Sequence, residues 1–303
     1  MKGKNLLSVA DLTAAEIGRL FQVAGETKGA AIPQRLKGKA VALLFEKPSL
    51  RTRVSFEVAV SQLGGKALYL SQAEVGLGKR ESIPDVARTL GRLVNALVVR
   101  TFAQADLALL ARWAGVPVIN ALTDDEHPCQ ALADLLTIKQ KKGRLERVAL
   151  AYIGDGNNVC HSLMLASAIM GLDFHMAHPQ GYAPRPDLVE KAQGLARESG
   201  ASLSFFERPA DAVAGVEVVY TDVWTSMGQE AQAEARRKAF AGYQVNEALL
   251  ARAGKGALFM HPLPAHRGEE VSTGVMEHPQ SVVFDQAENR LHVQRALLAE
   301  VLG

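Results

Sequence analysis

Short apolar runs recur along the whole chain, and most are followed by a stretch whose apolar residues have helical spacing. The runs lie at 40–45 (AVALLF), 67–70 (ALYL), 96–99 (ALVV) and 117–120, then at 148–153 (VALAYI), 202–206, 216–221 (VEVVYT), 256–260 and 281–284. Runs this short, apolar on both faces of the pleat, are strands of a parallel sheet covered on both sides, and the intervening helices supply the crossovers. The two series part at KQKKGRLER (139–147). The expected fold is therefore α/β, with two doubly wound domains, each a parallel sheet flanked by helices. The first domain is expected at 1–140 and the second at 141–285, with a C-terminal helix, 286–303, returning to the first. Length agrees, since 303 residues suit about two domains. Ser82 followed by Asp85 predicts the start of a helix over 82–93, and Ser8 or Asp11 can cap an early one.

Composition removes several function classes. A net charge of +2 gives no global argument for nucleic acid, and none is expected as a partner. The N-terminal stretch MKGKNLLSVADLTAAEI holds no apolar run of signal-peptide or membrane-spanning length, so no membrane association is expected. Two cysteines far apart, Cys129 and Cys160, do not make a disulfide framework and fit a reducing, cytoplasmic setting.

In open parallel sheets ligands sit beyond the carboxyl ends of the strands, and the polar clusters of this sequence fall there. Ser49-Leu50-Arg51-Thr52-Arg53 follows a strand and opens a helix. Free backbone N–H groups and the helix dipole favour an anion at that point, two hydroxyls add donors, and Arg51 adds a fork matched to phosphate oxygens. The same residues would also serve as an ordinary N-cap with exposed arginines. Arg100 ends the strand ALVV at the same sheet edge. His127-Pro128-Cys129-Gln130 precedes another helix, with Pro128 at its first position. Its imidazole can donate to a carbonyl and its Gln amide can bind a carbamoyl or amide group. A capping His and a surface Gln would look the same. Cys129 reads as a small buried residue.

In the second half, Gly154-Asp155-Gly156-Asn157-Asn158 resembles a nucleotide-type turn, but Val159 stands where a dinucleotide fingerprint needs its third glycine. Asn157 and Asn158 are left as neutral donors suited to a carboxylate, or as plain turn residues. Asp222, after VVYT, can bind an ammonium group. Two prolines flank Leu263 in His261-Pro262-Leu263-Pro264 and hold that backbone stiff, so that its carbonyls can accept from an amide. His261 and His266 have no third convergent ligand in the sequence, and no metal site is expected.

Taken together, SLRTR, HPCQ, GDGNN, DVWTSMGQE, HPLPAHRGEEV and AENRLHVQRAL resemble, in order and over nearly the whole chain, the aspartate/ornithine carbamoyltransferase family. The DVWTSMG spelling is similar to the ornithine branch. The resemblance implies carbamoyl phosphate and L-ornithine as substrates, citrulline and phosphate as products, no cofactor, and a homo-oligomer built on trimers. It implies that Ser49, Arg51, Thr52 and the backbone at Leu50 hold the phosphate. Arg100 and His127 would reach the carbamoyl oxygen, and Gln130 its amide. The backbone at Pro262 and Leu263 and the side chain of Arg290 would complete that pocket. Asn158, Asp222, Ser226 and Met227 would hold the amino-acid end of ornithine. Arg51, Arg100 and His127 are the residues expected to carry catalysis.

Two positions depart from the pattern. The ornithine branch normally has HCLP where this chain has HPLP, so Pro262 supplies neither thiol nor N–H. Gly76 stands where the family often places a polar residue that reaches a neighbouring subunit. Pro262 keeps other readings open: a carbamoyltransferase for putrescine, an acylated ornithine or aspartate, or a non-catalytic paralogue. A nucleotide-dependent oxidoreductase is disfavoured by Val159.

Overall fold

The computed structural model describes residues 1–29 and 31–303. They form two compact units, one made of Met1–Ala133 with Glu288–Gly303 and the other of Asp134–Ala287. In the first unit β1 (Ala40–Phe45), β2 (Lys66–Ser71), β3 (Ala96–Arg100) and β4 (Val118–Leu122) make a parallel sheet in the order β2-β1-β3-β4. In the second, β5 (Ala149–Ile153), β6 (Asp173–Ala177), β7 (Leu203–Phe206), β8 (Val218–Thr221) and β9 (Leu258–Met260) make another, ordered β7-β6-β5-β8-β9. Each order reverses direction about a central strand, as doubly wound sheets do.

The helices form where caps and apolar spacing coincide. Thr13 closes a capping box on Ala14–Glu26, Ser49 caps Leu50–Gln62, and Ser82 caps Ile83–Leu93. On one face of the first sheet Ala42, Leu44, Leu97, Val99 and Val118 pack with Val86, Ala87, Leu107 and Leu110 from the helices, all of them buried. Each fully buried aliphatic side chain of this kind stabilises the fold by about 1.5–3 kcal/mol. In the second unit Ala151, Ile153, Val219 and Phe259 pack with Val271 and Val275 in the same way.

Three local features differ from the sequence reading or sharpen it. The expected strand at 281–284 is not one. Ser281 makes a single bridge to Phe259, and Val283 already opens the helix Val283–Leu302. A four-residue run with three apolar side chains offers too little pairing to compete with a twenty-residue helix. Conversely, β6 was not expected. Its buried Phe174 and Met176 alternate with half-buried Asp173 and His175, a period of two that a search for continuous apolar runs passes over. Finally, the β3–β4 register slips between Val99 and Arg100: Val99 faces Asn120 but Arg100 faces Leu122, which leaves Ala121 as an extra residue. A bulge at a strand end re-aims the side chain beside it, here Arg100. No helix among the described residues is long and apolar enough to cross a membrane.

Candidate functional site

The first unit gathers the residues expected to bind an anion at the carboxyl edge of its sheet. Ser49 Oγ accepts from the Thr52 backbone N–H at 3.3 Å and donates to Thr52 Oγ1 at 2.9 Å. Arg290, from the last helix, donates to the same Thr52 Oγ1 at 2.5 Å. The N-terminus of Leu50–Gln62, with its backbone donors, thus faces a guanidinium delivered from the far end of the sequence. Thr52, Arg100, His127, Gln130 and Arg290 are all buried, while Ser49 and Arg51 are half-buried and the side chain of Leu50 is exposed.

Electrostatics ties this group together. Burial, then the charges of Arg290 and Arg51, bring Arg100 down to about 10. Burial, then Arg290 and Arg100, hold His127 well below the ordinary imidazole range. His127 is therefore a neutral ring at pH 7, able to donate from one nitrogen without adding charge. Arginines crowded this way repel one another, and a dianion would relieve the repulsion. Gln130 sits one turn along, its N–H donating to the His127 carbonyl at 3.0 Å. Cys129, buried and pushed up to about 12, stays a thiol whose Sγ donates to the Asn120 carbonyl at 3.4 Å. It is a packing residue, as its sequence context suggests.

The second unit presents a different chemistry. Asn157 caps the helix Asn158–Met170, its Oδ1 accepting from the N–H groups of Val159 and Cys160 and from the Tyr152 hydroxyl. Its Nδ2 donates to Asp222 Oδ2 at 2.8 Å. Asp222 Oδ1 accepts from the Val223 N–H at 2.8 Å, and burial pushes its carboxyl up. Asn158 is half-buried beside this pair in sequence, Ser226 donates its N–H to Gln229 Oε1, and Met227 is 47% exposed. Trp224 is buried and stacks on Phe240, whereas Met227 does not pack inward. Gly156 has its own reason: a Cβ there would lie 2.3 Å from the Pro184 nitrogen, so close backbone approach, rather than a pyrophosphate, accounts for it.

Some of these residues escape a sequence reading. Asn157, read from the sequence as a donor for a ligand carboxylate, donates instead to the protein's own Asp222. Arg236, buried, donates to Asp155 Oδ2 at 2.6 Å and to the Trp224 carbonyl at 2.8 Å, and so ties the GDGNN turn to the 222–230 loop. In sequence it is indistinguishable from the exposed Arg237 and Lys238 beside it. The histidine reading also needs correction. Ligand atoms of His266, Glu269 and Glu270 all lie within 4.8 Å of one another, so carboxylates supply the convergence that His261 and His266 lack. Both carboxylates have other work: Glu269 pairs with Arg237 at 3.1 Å, and Glu270 Oε1 accepts from the His266 backbone at 2.6 Å.

The chain matches known proteins over nearly its whole length. The model of the carbamoyl-P binding domain of aspartate/ornithine carbamoyltransferases matches residues 4–140, and that of their Asp/Orn binding domain matches 146–301. An ornithine carbamoyltransferase of Anoxybacillus flavithermus is 51% identical over 306 residues, covering 100% of this chain and 98% of the relative. The anabolic ornithine carbamoyltransferase of Pyrococcus furiosus is 50% identical over 307 residues, covering 100% of this chain and 98% of its own length. The solved structure of an ornithine carbamoyltransferase from Pyrococcus furiosus superposes with a TM-score of 0.97 at 50% identity, over 100% of this chain and 98% of that one. A buried, arginine-rich helix mouth in one unit, an amide-held carboxylate in the other, and full-length matches to both domain models make this chain a member of the aspartate/ornithine carbamoyltransferase family.

Proposed function

We propose that the chain transfers the carbamoyl group of carbamoyl phosphate to the δ-amine of L-ornithine, giving L-citrulline and phosphate. One observation carries this reading. Arg51 and Arg290 both act on Arg100, and Arg290 and Arg100 act on neutral His127, within the unit that matches a carbamoyl-phosphate-binding model. Ser49, Arg51, Thr52 and the Leu50 backbone hold the phosphate. Arg100 and His127 donate to the carbamoyl oxygen, Gln130 and the backbone at Pro262 and Leu263 take the amide, and Arg290 completes the set. Asn158, Asp222, Ser226 and Met227 take the amino-acid end of ornithine, with Asp222 facing its ammonium.

Ornithine's δ-amine, with a reference pKa of about 10.4, must lose a proton before it attacks. Its lone pair forms the new C–N bond at the carbamoyl carbon while charge grows on the carbonyl oxygen. Donors already in place at that oxygen stabilise the transition state without reorganising. The C–O bond to phosphate then breaks, and the departing phosphate takes one of the two protons on the attacking nitrogen, leaving the N–H of citrulline, since Pro262 offers no acidic or basic group. The protein works as a cytoplasmic homo-oligomer built on trimers. An exposed apolar stripe of Leu50, Val54 and Val58 along one helix supports self-association. The anabolic relative supports a place in arginine biosynthesis.

Pro262 favours a second reading, a different amine acceptor, because it removes a side chain beside the reacting amine. Purified protein given carbamoyl phosphate with L-ornithine, aspartate, putrescine or N-acetylornithine decides between them. Saturable citrulline formation with ornithine alone is expected. Turnover with another amine alone would establish the second reading, and no turnover with any would make the chain a non-catalytic paralogue.

A further inference from the structure

His261 follows β9 and is completely buried, and both of its ring nitrogens are engaged. The Leu263 backbone N–H donates to Nδ1 at 2.9 Å. A nitrogen that accepts carries no proton, so the ring proton is on Nε2, which donates to Glu270 Oε1 at 3.0 Å. That oxygen also accepts from the His266 N–H, and Glu270 is completely buried. The backbone of His261 is fixed in turn: its N–H donates to Gln286 Oε1 at 3.0 Å, and Gln286 Nε2 donates to Asp134 Oδ1 at 2.7 Å. Leu263 has φ +59°, a left-handed backbone that a branched apolar residue does not adopt unaided. Between His261 and Pro264, prolines at 262 and 264 carry no N–H, so the Leu263 amide is the one backbone donor of this turn besides the anchored His261 amide.

We propose that His261 is a positioning residue: Glu270 fixes its Nε2–H tautomer, so that Nδ1 holds the Leu263 amide and with it fixes the Leu263 carbonyl that the proposed function gives to the carbamoyl NH2 group. The inference rests on the carbamoyl-transfer reading for its last clause alone. An imidazole with the other tautomer would turn a donor toward the Leu263 N–H and release the turn. Pro262 makes the ring more necessary, because the turn has no amide at 262 to help hold it.

Two kinds of measurement test this. Long-range 1H–15N spectra of histidine-labelled protein should show His261, assigned by its absence from His261→Asn, with a pyridine-type Nδ1 and a pyrrole-type Nε2. The opposite pattern overturns the proposal whether or not the protein is active. In kinetics, His261→Asn keeps an oxygen near the Nδ1 position, whereas His261→Gln reaches toward Glu270 but offers Leu263 no acceptor. The Gln variant should raise KM for carbamoyl phosphate about tenfold, the effect of one lost hydrogen bond, and the Asn variant should stay within about threefold of the parent. KM for ornithine, and inhibition by inorganic phosphate, which has no amide, should not move. A Gln variant with normal KM for carbamoyl phosphate, or one in which phosphate inhibition weakens in parallel, sinks the positioning role. If the Gln variant does not fold, the spectra and the Asn variant decide. A parent protein that makes no citrulline would sink the functional reading and leave the tautomer result standing.

Discussion

Arg51 sits at the second position of a capped helix, half-buried and close enough to Arg100 to lower its pKa. Replacing it by Ala removes one preformed donor and one charge without opening the core. Citrulline formation is expected to fall by about 10²–10³-fold, with the melting temperature nearly unchanged. Near-normal turnover in Arg51→Ala would remove it from the central role. His127 carries a second expectation. Its folded-state pKa lies well below the 6.5 of an exposed histidine, so below that pH the unfolded chain binds a proton that the folded one does not. Stability then falls as pH drops through 6.5, with a slope of up to about 1.4 kcal/mol per pH unit, and is level with respect to this group above it. Urea unfolding between pH 5 and 7.5 should show the slope, and His127→Asn should flatten it. An unchanged slope would mean that other groups govern acid sensitivity. Ser49, Arg51, Thr52 and His127 were legible in sequence because a strand, a turn and a helix start announce a ligand edge locally. Arg290 lies 238 residues from Thr52, and its place came only from the family resemblance, since no local pattern marks it. Asn157 was legible as a donor for a carboxylate but not its partner Asp222, and Arg236 acts through hydrogen bonds that spacing does not reveal.

Among the elements, the helix Ile83–Leu93 shows how tightly the first unit is packed. A Cβ on Gly91 would lie 1.6 Å from the carbonyl oxygen of Ala114, the last residue of the helix Gln104–Ala114. Ala at this position would normally strengthen a helix by about 1 kcal/mol. Here the backbone contact reverses the sign, and Gly91→Ala is expected to lower the midpoint of urea unfolding rather than raise it. A stabilised variant would show that the two helices can part without cost. Most strand positions and the caps at Ser8, Ser49 and Ser82 could be anticipated because apolar runs and serine caps act over a few residues. The expected strand at 281–284 failed because helix formation downstream is cooperative and captured Val283. The missed β6 is half-covered, so its alternation was faint. Arg100's bulge could not have been anticipated, because an extra residue in β4 leaves no mark until the strands are paired.

For the molecule as a whole, Leu50 is 75% and Val54 48% exposed on one face of a helix whose other face is core. A stripe of this kind is expected to be covered by further copies of the chain. Val54→Glu should move the protein toward the monomer in sedimentation, and an unchanged mass would place the contact elsewhere. The first unit is also built from both ends of the chain. Gly3 donates its N–H to the Val301 carbonyl at 3.0 Å, and Arg290 reaches Thr52 from the last helix. During synthesis the SLRTR segment leaves the ribosome long before residue 290 exists. A nascent chain can therefore display that motif while the guanidinium of Arg290 is still missing from beside Thr52. Synthesis of the last helix, and not appearance of the motif, is what lets Arg290 reach Thr52.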